Sequence, residues 1–221
     1  RFSVPIAGAI YLCYGGFAMN ILVSGLINIE TTVKIPSFPI NYSPIEFSFF
    51  GVKSAVAGVG YNISKALTVL GDDVQFFSFT GSDIERESIL TQLNKDGIRT
   101  DYVEKVLKAT PVSVIFYDES ARRKIYCDLK NIQDVQPDIS FIKKRIEKAD
   151  IVAACNINFS RPILKAAKEC GKTIATDVHV LSSVDDAYNR EFLEYADIVF
   201  LSDENLPCPR EDFLTSLKNA Y

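Results

Sequence analysis

Four short runs of polar and glycine residues carry the side chains able to do chemistry, and each follows or precedes an apolar run. Ala57-Gly58-Val59-Gly60-Tyr61-Asn62 sets two glycines and a carboxamide at the start of a helical pattern. Glycine permits close backbone approach, and the first N–H groups of a helix remain open to a polar ligand. The third glycine of the dinucleotide-binding pattern is absent, with Asn62 in its place, so dinucleotide binding is not the reading. A glycine-rich strand-to-helix turn with Asn62 as N-cap is the alternative. Gly25-Leu26-Ile27-Asn28-Ile29-Glu30 closes the first apolar run. Asn28 and Glu30 are two apart and share a side if the chain is extended, at the strand end where open α/β sheets bind ligands; a solvated strand end is the competing reading. Asp177-Val178-His179 and Ser202-Asp203-Glu204-Asn205 place acids after two later apolar runs. Hard oxygen ligands at neighbouring strand ends could hold a Mg²⁺–phosphate cluster, although helix N-caps have the same composition. His179, the only histidine, has no carboxylate partner identifiable from spacing and reads as structural or solvent-facing.

The elements that must position these groups alternate strand and helix patterns. Ile21–Ile27 is a continuous apolar run, suited to a strand covered on both faces. Residues 31–56 hold Pro36, Pro39 and Pro44 and aromatic pieces such as Glu46–Phe50, which predicts short edge-type β segments. From Asn62 the period turns helical, with Gly71 as a stop. Val74–Phe79 predicts a strand, Thr80-Gly81-Ser82-Asp83 a turn, and Ile84 to Leu93 a helix ending at Gly97. Residues 111–117 and 123–127 predict a hairpin. Thereafter helices near 138–149, 161–170, 189–195 and 210–219 alternate with strands at Ile151–Cys155, Thr173–Asp177 and Ile198–Leu201. The expected fold is α/β, a mostly parallel sheet flanked by helices. The two β excursions, 31–56 and 111–127, fall outside that alternation and are expected to pack together as a small separate sheet, a candidate lid.

Composition narrows the function classes. The 221 residues fit one large domain, or one domain with a small appendage, and 48% hydrophobic with 24% charged residues is ordinary globular usage. Lys plus Arg is 24 and Asp plus Glu is 28, giving a net charge of −4 with no basic run, so nucleic acid has no electrostatic footprint here. Five scattered cysteines, none in a CxxC, predict neither a disulfide framework nor a zinc site, and point to a reducing, cytoplasmic compartment. The longest apolar stretch, Val4 to Ala18, is shorter than the ~18–20 residues of a membrane span, so no membrane partner is expected.

The order of these features resembles the ribokinase-like (PfkB) carbohydrate kinase family. The resemblance runs from about Met19 to Leu206, through Gly25 to Glu30, Ala57 to Asn62, Leu70-Gly71, Thr80-Gly81-Ser82-Asp83, Leu93-Asn94-Lys95-Asp96-Gly97-Ile98 and Ala196-Asp197-Ile198-Val199-Phe200. It implies ATP-dependent phosphorylation of a hydroxyl on a sugar or nucleoside-like molecule, with Mg²⁺. By the same resemblance Asn28, Glu30, Gly58, Gly60 and Asn62 contact the acceptor, and the β excursions form a lid that can also join two copies. Glu30 stands where the family commonly has Asp, and one added methylene lengthens its reach. The family's Asn-x-x-Glu near phosphates and metal falls on Ser202 to Asn205, with Ser202 for its Asn and Asn205 for its Glu; Asp203, Glu204 and Asp177 are the remaining nucleotide or metal candidates. Gly-Ala-Gly-Asp, which carries the family's base, occurs nowhere in the 221 residues. No catalytic residue is therefore assigned, and the 221 residues alone are expected to lack kinase activity. A non-catalytic sugar- or nucleoside-binding protein, or a piece completed by another chain, is the alternative. Residues 1–18 are similar to the helix that follows that motif, which suggests a displaced C-terminal helix ahead of a domain at 19–221; a secretory signal and vector-derived residues are the rivals.

Overall fold

The computed structural model describes residues 18–221, so the expectation for the segment 1–18 lies, but for Ala18, outside the described residues. Ten strands form two sheets. The main sheet comprises β1 (Asn20–Ser24), β4 (Asp73–Thr80), β5 (Val103–Lys105), β8 (Ile151–Ala154), β9 (Thr173–Val180) and β10 (Ile198–Ser202). Its order is β10-β9-β8-β1-β4-β5 and every pairing is parallel. The alternation of β1 is buried on both sides and divides the core in two. Leu22 joins Phe77, Phe79, Val152 and Ile174 under α3 (Ile139–Lys148), α4 (Arg161–Glu169), α5 (Arg190–Tyr195) and α6 (Arg210–Ala220). Ile21 and Val23 join Val74 and Phe76 under α1 (Val59–Leu70) and α2 (Ile84–Lys95). Successive side chains of a strand point to opposite faces, so two helical layers are needed to keep such a sheet dry.

The small sheet has the order β3-β2-β6-β7, built from β2 (Asn28–Lys34), β3 (Val52–Ala57), β6 (Val112–Tyr117) and β7 (Arg123–Asp128). It is mixed, because β2 and β6 run parallel while the two outer pairings are antiparallel. The expected hairpin is present, and Asp118 holds its turn by accepting from Ser120 and Arg122.

Several sequence expectations shift. The first strand stops at Ser24, not Ile27, because Gly25 to Ile27 turn out of the main sheet with Ile27 still buried in the core. The small sheet therefore begins at Asn28 rather than residue 31, and Asn28 and Glu30 lie on its strand β2. Glu46–Phe50 is not a strand but part of the irregular connection 35–51. That connection is closed by Lys34 N–H donating to Gly51 O and Ser48 Oγ donating to Lys34 O, with Phe50 in the left-handed region. Helix α1 starts at Val59, three residues before Asn62. Gly58 is its N-cap and Asn62 N–H already donates to Gly58 O, so Asn62 is not the cap. The short edge strand β5 was not expected, since three residues offer no periodicity to read.

Candidate functional site

The candidate site lies where the chain leaves the carboxyl end of β1, enters the small sheet and returns into α1. Three backbones meet there. A Cβ on Gly60 would stand 2.6 Å from the carbonyl carbon of Gly25, and one on Gly25 would stand 2.8 Å from Gly60 Cα and 2.5 Å from Cys155 Sγ. Gly58 has φ +109°, and a Cβ there would meet Leu26 O at 2.4 Å. These contacts bring the amino end of α1 against the strand end without a side chain between them. No side chain caps the helix; Tyr61 N–H donates to Leu26 O at 3.3 Å, and the first helical N–H groups have no partner within the helix. Burial pushes the Cys155 thiol up to about 12, with the charge of Asp177 adding to it, so this cysteine stays protonated at neutral pH and is not a nucleophile.

Asn28 is buried, with 2% of its surface exposed, and its Nδ2 donates to Ser113 Oγ on β6. Its carboxamide oxygen is buried and has no partner among the described residues. A buried acceptor of this kind costs roughly 1–3 kcal/mol until a donor reaches it, and a hydroxyl is such a donor. Glu30 follows two residues along β2, half-buried, beside Ala55 of β3 and Ser113 of β6, and forms no ion pair among the described residues. Asn28 and Glu30 thus share one face, with the small side chains Ala55 and Ala57 beside them. Ser113 was missed in sequence; its only signal was a hydroxyl inside an apolar strand.

The turn Thr80-Gly81-Ser82-Asp83 does not contact this face but ties the two sheets together. Asp83 caps α2 through Arg86 N–H and accepts from the Thr110 N–H and hydroxyl at 2.6 Å each, while Gly81 N–H donates to Thr110 Oγ1 at 2.9 Å. Burial pushes the Asp83 carboxyl up, but the hydrogen bonds from Thr110 and Arg86 outweigh it and hold it below its ordinary value. Thr110 leads directly into β6, so the turn fixes where the small sheet hangs.

The later acidic candidates separate. Asp177, Ser202 and Glu204 line one cleft of about 350 Å³ together with His179 and, from the small sheet, Arg123, a residue sequence reasoning did not single out. His179 does have a carboxylate partner, contrary to the sequence reading: its Nδ1 lies 3.5 Å from Asp177 Oδ2 and its backbone N–H donates to Asp177 Oδ1 at 2.9 Å. The tight turn that makes this possible, with His179 in the left-handed region, cannot be seen from spacing. Asp203 instead pairs with Arg210 on α6, and Asn205 occupies a left-handed turn position. Asn62 and Asp177 line a third, mostly apolar groove beside α1. A further cleft of about 680 Å³, between the small sheet and α2, is lined by none of the candidate residues.

Mg²⁺ takes hard oxygen ligands and is commonly held by one or two carboxylates together with a nucleotide's phosphates; Asp177 and Glu204, which line one cleft, are the carboxylates that would meet it. Asp203 is committed to Arg210, and no group of three or more His, Cys, Asp or Glu suited to a metal occurs among the described residues. No helix among them is long and apolar enough to cross a membrane.

Among solved structures the chain is similar to an acarbose kinase of microbiome origin, with a TM-score of 0.78 and 21% identity over 92% of this chain and 67% of that one. It is similar also to Arabidopsis thaliana ribokinase complexed with ribose and ATP, with a TM-score of 0.72 and 19% identity over 92% of this chain and 69% of that one. A third likeness is the Burkholderia thailandensis nucleoside kinase in complex with inosine, with a TM-score of 0.66 and 15% identity over 83% and 60%. The chain thus spans about two thirds of the length of these structures. A 56-residue stretch is 41% identical to the pseudouridine kinase of Escherichia coli strain K12, covering 25% of this chain and 17% of that protein. The family described as pfkB family carbohydrate kinase matches residues 20–207, and the chain, with its parallel sheet, glycine cradle and separate small sheet, belongs to that family.

Proposed function

We propose that this chain forms the acceptor-binding part of an ATP-dependent phosphotransferase that acts on a hydroxyl of a sugar or nucleoside. The observation that carries the reading is the buried, unpartnered oxygen of Asn28, set on one face with Glu30 beside the Gly58–Gly60 helix start. Asn28 accepts from one hydroxyl and Glu30 from a neighbouring one, a pattern that suits the vicinal diol of a ring sugar. The small sheet acts as the lid, and its closure excludes water, which competes as phosphoryl acceptor. ATP supplies the phosphoryl group and Mg²⁺ accompanies it; positioning the hydroxyl is what these residues contribute.

The test is calorimetric titration of the chain with ribose, inosine, pseudouridine and acarbose, beside an assay of ADP release from ATP. Saturable binding of at least one of them is expected, and no binding by any overturns the reading. The second reading, binding without catalysis, is supported by the commitment of Asp203 to Arg210. Binding with no ADP release by these 221 residues is the expected result. ADP release at a rate typical of kinases would place the base among Asp177, Asp203 and Glu204.

A further inference from the structure

Ser113 is a hydroxyl inside the otherwise apolar strand β6, and only 5% of its surface is exposed. A buried hydroxyl is costly unless its oxygen and its proton both find partners. The chain just before it is held firmly. Thr110 is clamped by Asp83 through two hydrogen bonds of 2.6 Å, and Pro111 O accepts from Ile29 N–H at 3.2 Å. Ser113 then pairs with Glu30 across β2 and β6, which puts its hydroxyl on the face that carries Asn28 and Glu30. Asn28 Nδ2 donates to Ser113 Oγ, so the oxygen accepts there and the hydroxyl proton has no acceptor among the described residues. The carboxamide oxygen of Asn28 is buried and likewise unpartnered among them. An unpartnered donor and an unpartnered acceptor thus sit side by side, away from water.

We propose that Ser113 is a positioning and specificity residue of the acceptor pocket, which together with Asn28 encloses one ligand hydroxyl in a closed ring of hydrogen bonds. The ligand hydroxyl donates to Asn28 Oδ1 and accepts from the Ser113 hydroxyl, while Asn28 Nδ2 keeps its bond to Ser113 Oγ. A hydroxyl meets both needs because it is donor and acceptor on one atom. A methyl ether brings no proton to Asn28, and a hydrogen in place of the hydroxyl leaves both groups unpaired. The pocket therefore rejects O-methyl and deoxy forms at that position. By taking an Nδ2 proton, Ser113 also holds the carboxamide with its oxygen toward the ligand; without that hydroxyl the amide is free to turn. The inference rests on the acceptor reading and adds to it the contact that sets selectivity.

Two measurements on the 221-residue chain test it separately. The first needs no ligand: nuclear magnetic resonance of the Asn28 carboxamide protons, assigned by their loss in Asn28→Asp. Ser113→Ala should raise their solvent-exchange rate at least about tenfold. Ser54→Ala, on the opposite face of the small sheet, should leave it unchanged. Equal rates in Ser113→Ala and the unaltered chain overturn the pairing, and the inference with it, whatever the ligand. The second is calorimetric titration with ribose, inosine and pseudouridine, each beside its 2- and 3-deoxy forms. One deoxy form of the ligand that binds should bind at least about 100-fold more weakly than its parent. Ser113→Ala should weaken the parent about tenfold or more but that deoxy form less than about twofold, because the ring is already broken there. Equal weakening of both forms makes Ser113 merely structural and overturns the inference alone, as does no weakening of either. No binding of any of these ligands to the unaltered chain overturns the acceptor reading and the ring together.

Discussion

At the scale of single residues, the site depends on two opposite demands, an absence of side chain at the glycines and an unmet hydrogen bond at Asn28. A Cβ at Gly60 would lie 2.6 Å from the Gly25 carbonyl carbon, and the neighbour is backbone, which cannot swing aside. Gly60→Ala is expected to lower stability by ~1–3 kcal/mol, as overpacking does, seen as a lower urea midpoint with unchanged slope. An unchanged midpoint would mean that α1 shifts freely from the strand end. Glu30 has no ion-pair partner among the described residues and is half-buried beside Asn28. Glu30→Ala should weaken binding of the accepted sugar or nucleoside about tenfold, ~1.4 kcal/mol, without altering the melting temperature. Affinity equal to that of the unaltered chain removes Glu30 from the acceptor pocket.

At the scale of elements, the Asp83–Thr110 clamp holds the small sheet to the main one. The Asp83 carboxyl is held below its ordinary value, so its contribution is fully present above the unfolded carboxylate pKa near ~3.9 and is lost as pH falls through the depressed folded value. Asp83→Ala should therefore cost ~1–2 kcal/mol at pH 7, as loss of a helix cap does, and the gap between variant and unaltered chain should begin to narrow only as pH falls below about 4. Urea unfolding at pH 7 and pH 3 checks this, and a gap no smaller at pH 3 than at pH 7 contradicts the assignment. The small sheet also exposes Val52 and Tyr126 on the face that carries Phe116, whose ring meets Tyr126 edge-on at 6.0 Å. Two copies are expected to meet there. Light scattering should give twice the chain mass, falling to one on Val52→Lys with Tyr126→Lys, and a single-chain mass before substitution rejects the contact.

At the scale of the whole molecule, stability resides in the face of the sheet covered by α3 to α6. Phe159 is fully buried there, with ring centroids 4.9 Å from Phe79 and 5.9 Å from Phe77. Phe159→Ala should cost ~3–5 kcal/mol, measured by denaturant unfolding, with the loss shared by every strand because β1, β4, β8 and the helices close on that one ring. A loss below about 1 kcal/mol would mean that the site collapses around the cavity.

The order of strands and helices was legible in the sequence because burial on two faces leaves continuous apolar runs, as at Ile21–Val23 and Val74–Phe79, and because amphipathic helices between them fix a parallel sheet. The glycine motif and the Asn28–Glu30 pair were legible for the same reason, as glycine and polar residues interrupting those runs. Pairing across long separations was not. That Asn28 bonds Ser113, 85 residues away, that Asp83 clamps Thr110, 27 away, and that Arg123 and Asp177 line one cleft depend on how separate strands and turns align, and that Asp203 meets Arg210 depends on the turn between β10 and α6. Periodicity is a local property of the chain, set by how each residue's neighbours must point. Which side chains meet is set by the packing of whole sheets, so tertiary structure alone decided which of the polar candidates share a site.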